Sequence, residues 1–375
     1  MSIAYDKKTP HRFDVVGSLL RPARLKQARI DWKAGRISAE ELAAVEDECI
    51  RDLVAKEKAA GLGVITDGEF RRETWHLDFM WAFDGVAHKP TETGLPFHDE
   101  AAKIDDTYLT GKIAYRGSHP FIEHFRFVQD LEDEKCVAKL TIPAPAQFFE
   151  QFAMPFNLEA TRRYYKTDEE LADDIVAAYR AFIADVYAAG CRNLQFDDCS
   201  WGMVVDPHAE QFFGVDVAGL ERVKEELLDV NNRALEGRPA DLTVNTHVCR
   251  GNFHSTWACE GGYDEVADFL LARESVDAFF LEFDDARSGG FEPLAKVPAG
   301  KKVVLGLVTT KSAQLEDPKA VIARIHEAEK YVPLESLCLS PQCGFASCEI
   351  GNKLTEDEQW AKVRLVREVA EQVWG

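Results

Sequence analysis

Short, almost uninterrupted apolar runs recur along this chain, and each ends on polar or ionisable residues before an amphipathic stretch begins. Ala278-Phe279-Phe280-Leu281 runs into Glu282, and Val303-Val304-Leu305-Gly306-Leu307-Val308 runs into Thr309. A strand with one wet face alternates apolar and polar residues. A strand apolar at successive positions is covered on both faces, as in a parallel sheet packed between helices. Eight segments read this way: 13–18, 63–67, 137–142, 193–197, 243–247, 278–282, 303–308 and 336–340.

The helices between them announce their starts. Ser38, Thr167 and Thr355 each stand three residues before a glutamate (Glu41, Glu170, Glu358), the spacing at which two side chains satisfy each other's unpaired backbone donors. Leu171, Ile175, Tyr179, Phe182 and Val186 recur at three- and four-residue steps and define one apolar face. Gly61 and Gly190 end two of these helices, and Pro318 opens another at the favoured first position. Eight strands alternating with helices in a chain of 375 residues predict a (β/α)8 TIM barrel occupying residues 1–375 as one domain. A doubly wound sheet is the alternative, but no Gly-x-Gly-x-x-Gly follows the first strand. Residues 82–135, rich in Gly, Pro, His and Thr, fit neither element. They are expected to form an insertion after the second strand, with a hairpin around 109–115 lying across one barrel mouth.

Composition narrows the partners. The 44 basic and 65 acidic residues give a formal charge of −21, which repels phosphate backbones and anionic lipid, so neither nucleic acid nor membrane is expected as a partner. No run of about eighteen apolar residues is present to span a bilayer. The start, Met-Ser-Ile-Ala-Tyr-Asp-Lys-Lys, lacks the apolar core of a secretory signal, so a cytoplasmic location is expected. Nine cysteines in such a compartment are fillers, ligands or reactive thiols rather than a disulfide framework. Nothing in the chain sets an oligomeric state.

The chemistry-bearing residues sit at the strand ends. Ser18 follows Val-Val-Gly, Asp67-Gly68-Glu69 follows Val-Ile-Thr, and Asp197-Asp198 follows Leu-Gln-Phe. His247-Val248-Cys249 follows Thr-Val-Asn-Thr, Glu282 follows Phe-Phe-Leu, and Cys343 closes Leu-Ser-Pro-Gln-Cys-Gly. Carboxyl ends of barrel strands open on one face, so these groups are expected to converge. Residues two apart in a strand point the same way, which lets His247 and Cys249 share one ion. Two thiolates, an imidazole and a carboxylate (Cys249, Cys343, His247 and Glu282) suit a tetrahedral zinc. Buried small cysteines and an ordinary strand-end glutamate are the plainer use of the same residues. A zinc so ligated carries a net charge of about −1, which favours holding an electron-rich thiolate over generating hydroxide. The implied chemistry is alkylation of a thiol, with Glu282, the hardest donor, the ligand most easily displaced.

Taken together, Val16-Gly17-Ser18, Asp67-Gly68-Glu69, Gln195-Phe196-Asp197-Asp198, Thr246-His247-Val248-Cys249, Leu281-Glu282 and Ser340-Pro341-Gln342-Cys343-Gly344 resemble the catalytic barrel of the cobalamin-independent methionine synthase family. The resemblance runs from about residue 12 to the end and is nearest to the short, single-barrel members. It implies zinc held by His247, Cys249, Glu282 and Cys343, and homocysteine held by Ser18, Glu69 and Asp197, the two carboxylates receiving its ammonium. An ion pair with Arg71 or Arg192 is the structural alternative for those carboxylates. It also implies a folate-type methyl donor and methionine as product. Two departures stand on the donor side. Lys311 occupies the place of the histidine that the family uses as general acid, and Thr141-Ile142-Pro143-Ala144-Pro145 replaces the tryptophan loop that stacks the pterin. Lys311 is either a weak acid, an anion binder or a solvent-facing residue. His76, beside Trp75, either moves protons or packs a helix, and Arg287 reads as a surface arginine. Cys199, Cys259, Cys338 and Cys348 read as fillers or neighbours of the ligand set. The rival functions are alkylation of another thiol such as coenzyme M, a donor other than folate, and a non-catalytic zinc barrel that senses thiols. A uroporphyrinogen-decarboxylase-like barrel has no use for this Cys/His set.

Overall fold

The computed structural model describes residues 9–92 and 94–375, so the leading segment read for a signal lies outside the described residues. In chain order the strands are β1 (Val64–Ile65), β2 (Asp84–Lys89), β3 (Leu95–Pro96), β4 (Ala101–Ala102), β5 (Asp106–Ala114), β6 (Val137–Ala138), β7 (Leu140–Pro143), β8 (Asn193–Asp197), β9 (Thr243–Val248), β10 (Ala278–Glu282), β11 (Lys302–Val308) and β12 (Leu337–Pro341). Strands β7 to β12 form one six-stranded parallel sheet in the order β12-β11-β10-β9-β8-β7, and β1 pairs in parallel with β6. The chain is therefore an α/β protein whose consecutive strands are neighbours, and parallel pairing puts all their carboxyl ends on one side. Strands β7, β8, β10 and β12 are buried at every position and β9 at all but Thr243, as expected of strands covered on both faces.

The first expected strand is not a strand. Phe13 makes a single parallel bridge to Leu339, and Asp14 N–H donates to the Leu339 carbonyl at 3.0 Å. Beyond it the carbonyls are taken by side chains instead of a ladder. Lys139 Nζ donates to the Val15 carbonyl, Gln195 Nε2 to that of Val16 at 2.8 Å, and Thr66 Oγ1 to that of Gly17 at 2.9 Å. A Cβ on Gly17 would lie 2.6 Å from Thr141 Cγ2, so only glycine lets the chain pass so close to β7.

Helix starts follow the sequence. Ser38 and Glu41, and Thr355 and Glu358, form complete capping boxes on the helices Ala39–Ala59 and Glu356–Trp374. Thr167 caps the helix Asp168–Ala188, but Glu170 turns its carboxylate to the Lys166 N–H, leaving that box half made.

The insertion is more regular than its composition suggests. β2 and β5 pair antiparallel, so the partner of 106–114 is 84–89 and not a hairpin around 109–115; the chain between them carries β3 and β4, also antiparallel. Residues 120–129 then form the helix Pro120–Gln129, capped by His119 and burying Phe121, Ile122, Phe125 and Val128. Phe121 meets Phe79 edge-on at 5.4 Å, and Phe79 meets Phe182 at 5.0 Å and 90°, which docks the insertion on the helix Asp168–Ala188. Among the described residues, no helix is long and apolar enough to cross a membrane.

Candidate metal centre and thiol pocket

Registry brings the strand tips together. Asp197 ends β8 opposite His247 in β9, and Val248 stands opposite Leu281, one residue before Glu282. His247, Cys249 and Cys343 present one ligand atom each, all within 4.8 Å of one another and all buried. Neither ring nitrogen of His247 has a well-formed hydrogen bond, although the ring is only 3% exposed. A buried imidazole with both nitrogens unsatisfied is costly unless something else binds it. The Cys199 thiol, then that of Cys343, then His247 hold Cys249 well below the ordinary thiol value, against its burial. Cys343 is pushed correspondingly up by Cys249 and by burial. Burial pulls His247 down, but Cys249, Asp197 and Glu282 outweigh it and leave the imidazole above its ordinary value. One thiolate, a second thiol and an orphaned imidazole fit a zinc ion.

Glu282 does not join this trio. It is fully buried, its Oε2 accepts the Arg250 N–H at 2.9 Å, and its Oε1 faces Arg287 Nη2 at 3.2 Å and Lys311 Nζ at 3.7 Å. Lys311 therefore neither points to solvent nor lines the cavity. Burial pulls its ammonium down, while Glu282, Asp284 and Cys343 hold it above the ordinary lysine value. Arg287 is not a surface arginine either: its side chain is 10% exposed, paired to Asp285 at 2.8 Å and set over the Trp257 ring at 4.4 Å.

The trio opens on a cavity of about 690 Å3 that Ser18, Glu69, His76 and Asp197 also line. Glu69 is held in a left-handed conformation (φ 61°) just after Gly68 (φ 62°). Such a backbone costs energy in a non-glycine residue and persists only where its surroundings fix it. Here Glu69 N–H donates to Asp67 Oδ1 at 2.8 Å and the Glu69 carbonyl accepts from Arg21 Nη2 at 2.7 Å. Its Oε1 accepts from Thr141 Oγ1 at 2.9 Å and faces Arg72 at 3.3 Å, while its Oε2 is buried without a partner. Burial raises the Glu69 pKa against Arg72 and Arg21, and burial raises Asp197 to about 7 against His247. The alternative partners are engaged elsewhere, Arg71 with Glu46 and Asp47, and Arg192 with Asp241. Gly344 lies against Ser18 so closely that a Cβ there would sit 1.8 Å from Ser18 Oγ. His76 stacks on Trp75 at 4.4 Å, and burial pushes it down to about 3, so it is neutral at physiological pH.

Sequence reasoning left one neighbour of the site open and missed another. Cys199, which reads as a filler or a neighbour of the ligand set, is a neighbour: its sulfur lies 3.1 Å from that of Cys249. Arg72, one residue beyond Arg71, is the cation that reaches the Glu69 carboxylate. Its i,i+3 spacing from Glu69 was the available signal.

The class to which this fold and these tips belong is shown by residues 159–372, which match the catalytic domain of cobalamin-independent synthase. The chain belongs to that family. Among individual relatives it is 44% identical to the uncharacterized protein YxjG of Bacillus subtilis (strain 168), over 98% of this chain and 96% of that one. It is 23% identical to the methionine synthase of Saccharolobus solfataricus over 88% of this chain and 86% of that protein. A crystal structure of a putative vitamin-B12-independent methionine synthase from Listeria monocytogenes superposes with a TM-score of 0.77 at 35% identity, covering 99% of this chain and all of the other.

Proposed function

We propose that this chain is a zinc-dependent S-methyltransferase that methylates homocysteine, or a thiol like it, to give methionine. The observation that carries this reading is the convergence of His247, Cys249 and Cys343 on the same cavity as two buried carboxylates, one with a free oxygen. His247, Cys249 and Cys343 would hold the zinc, and Glu282 would complete the set as fourth donor by turning its carboxylate from Arg287 and Lys311. Zinc bound there keeps a substrate thiol as a nucleophilic thiolate at neutral pH.

The remaining work falls to the chain's own residues. Glu69 Oε2 and Asp197 receive the ammonium of the amino acid, which restores to both the ionised state that burial opposes. Ser18, pinned by Gly344, lines the carboxylate end. Two carboxylates toward an ammonium favour an amino-acid thiol over coenzyme M, whose sulfonate they would repel. Residues 82–135 cover the mouth, with Phe97, His98, Ala102 and Ile104 reaching the cavity, and this cover excludes water from the thiolate. We infer as well that the sheet closes as a (β/α)8 barrel occupying residues 1–375. The Phe13 bridge to Leu339, the Leu19 N–H on the Gly68 carbonyl at 3.1 Å and the Lys139 N–H on the Ile65 carbonyl at 2.9 Å support the closure.

The family's expected donor is a methylated folate, whose methyl leaves a nitrogen that must be protonated as it departs. Cys343→Ser tests the reading as a whole. It is expected to lose both bound zinc and turnover with homocysteine, and full zinc content with full turnover would refute it.

A further inference from the structure

The donor side of the cavity carries an inference that rests on the thiol-methylation reading above. Among the described residues, no lysine or arginine lines the cavity. Lys311 and Arg287 are turned onto Glu282 outside it, and Arg250, next to Cys249, donates to the Gly261 carbonyl at 2.7 Å and lies over the Tyr263 ring at 4.0 Å. Its outer walls are apolar and aromatic: Phe97, Met154, Phe156, Met203, Phe212 and Phe253. Its charged lining residues are Glu69 and Asp197, which are committed to the ammonium of the thiol substrate. An anionic donor would have to bury its carboxylates here without a cation, in a protein of formal charge −21.

The chamber also lacks a histidine free to act as an acid inside it. Of its four lining histidines, His247 belongs to the metal set and His76 is a buried, neutral ring stacked on Trp75. His98 and His208 stand at the solvent rim with side chains 57% and 69% exposed, their Nδ1 atoms on Asp99 at 2.9 Å and Asp206 at 3.1 Å. No histidine is thus placed inside to protonate a departing amine, and Glu69 and Asp197 face the ammonium of the thiol substrate.

We propose that the methyl donor is a compact onium compound, a methylsulfonium or a methylated quaternary ammonium, held against the aromatic walls. The chemistry balances without an acid. The substrate thiolate forms a new S–CH3 bond, the C–S+ or C–N+ bond breaks, and its electron pair stays on the leaving atom. The leaving group departs as a neutral thioether or tertiary amine, and no proton is consumed. Aromatic faces attract such cations, and methyl-onium groups are bound by cages of this kind.

The test uses the zinc-loaded protein with homocysteine and deuteromethyl-labelled donors: S-methylmethionine, glycine betaine, and 5-methyltetrahydrofolate as mono- and triglutamate. Mass analysis of the methionine formed reads the transfer, and the two onium arms separate sulfonium from ammonium. Label is expected from an onium donor. Phe156 is 63% exposed, so Phe156→Lys leaves the core intact, and it is expected to lower kcat/KM for that donor about tenfold by placing a cation at the chamber wall. Homocysteine binding, followed by the absorption of the cobalt-substituted protein, should be unchanged in this variant. Faster transfer from either folate, or bound homocysteine with no transfer from either onium, overturns the donor assignment alone. Failure of homocysteine to perturb the cobalt spectrum of the wild type overturns the thiol reading, and the assignment with it.

Discussion

Replacing Arg72 by methionine separates the two jobs of the buried residue that faces Glu69. The guanidinium donates to the Thr141 carbonyl at 2.7 Å and the Trp75 carbonyl at 3.3 Å, faces Glu69 Oε1 at 3.3 Å, and lies 4.3 Å from the centre of the Phe121 ring. Its side chain is 1% exposed. Methionine fills most of the volume but leaves two carbonyls without these donors and a buried carboxylate without its cation. Breaking a buried pair by deleting one partner costs about 3–5 kcal/mol, a large part of the ~5–15 kcal/mol that holds a folded protein together. Urea unfolding should show the midpoint falling by that loss divided by the slope, with the slope itself unchanged. Arg72→Lys should recover only part, because an ammonium cannot reproduce the forked contacts. The functional consequence has a definite sign. Arg72 is the strongest influence opposing the burial that raises the Glu69 pKa, so its loss moves that pKa further up. Glu69 then ionises at higher pH, and the onset of homocysteine binding moves to higher pH with it. A stability loss below about 1 kcal/mol, or an onset that does not move, would refute the assignment of Arg72 as the residue that poises Glu69.

Two further predictions follow from the same geometry. Gly344→Ala places a Cβ 1.8 Å from Ser18 Oγ, which can rotate, but also 3.0 Å from Ser18 Cβ and 3.1 Å from its carbonyl oxygen, which cannot. Homocysteine KM should rise with a stability loss of about 1–3 kcal/mol in thermal unfolding, and an unchanged KM would contradict the packing. In the metal-free protein, Asp197 has a folded pKa near about 7 against an ordinary carboxyl value of ~3.9, so between those limits the folded state holds the extra proton and stability falls as pH rises. Asp197→Asn should flatten that slope, recovering up to roughly 4 kcal/mol above pH ~7, while abolishing homocysteine binding. A variant as pH-sensitive as the wild type would contradict the burial argument.

The sheet was readable because a strand buried on both faces must be apolar throughout, which marked 278–282 and 303–308 without ambiguity. Segment 13–18 carried the same pattern, yet its carbonyls pair with Lys139, Gln195 and Thr66, side chains far away in sequence, and no local periodicity encodes that. Residues 120–129 were hidden by the composition around them, although His119-Pro120 and the spacing of Phe121, Ile122, Phe125 and Val128 spell a capped amphipathic helix. In the site, His247, Cys249 and Cys343 were legible from strand-tip position and do meet. Side-chain direction was not legible. Glu282 sits at a tip like the others, but its carboxylate is drawn to Arg287 and Lys311, and Cys199 approaches Cys249 from a neighbouring strand end.

Zinc K-edge X-ray absorption of the zinc-loaded protein, with and without homocysteine, tests most directly whether this centre binds a thiol. The sulfur count around zinc is expected to rise by one when homocysteine is added, and Cys343→Ser, given the same treatment, is expected to hold too little zinc to show such a shell. A shell whose sulfur count is the same with and without homocysteine in the wild type would contradict the account.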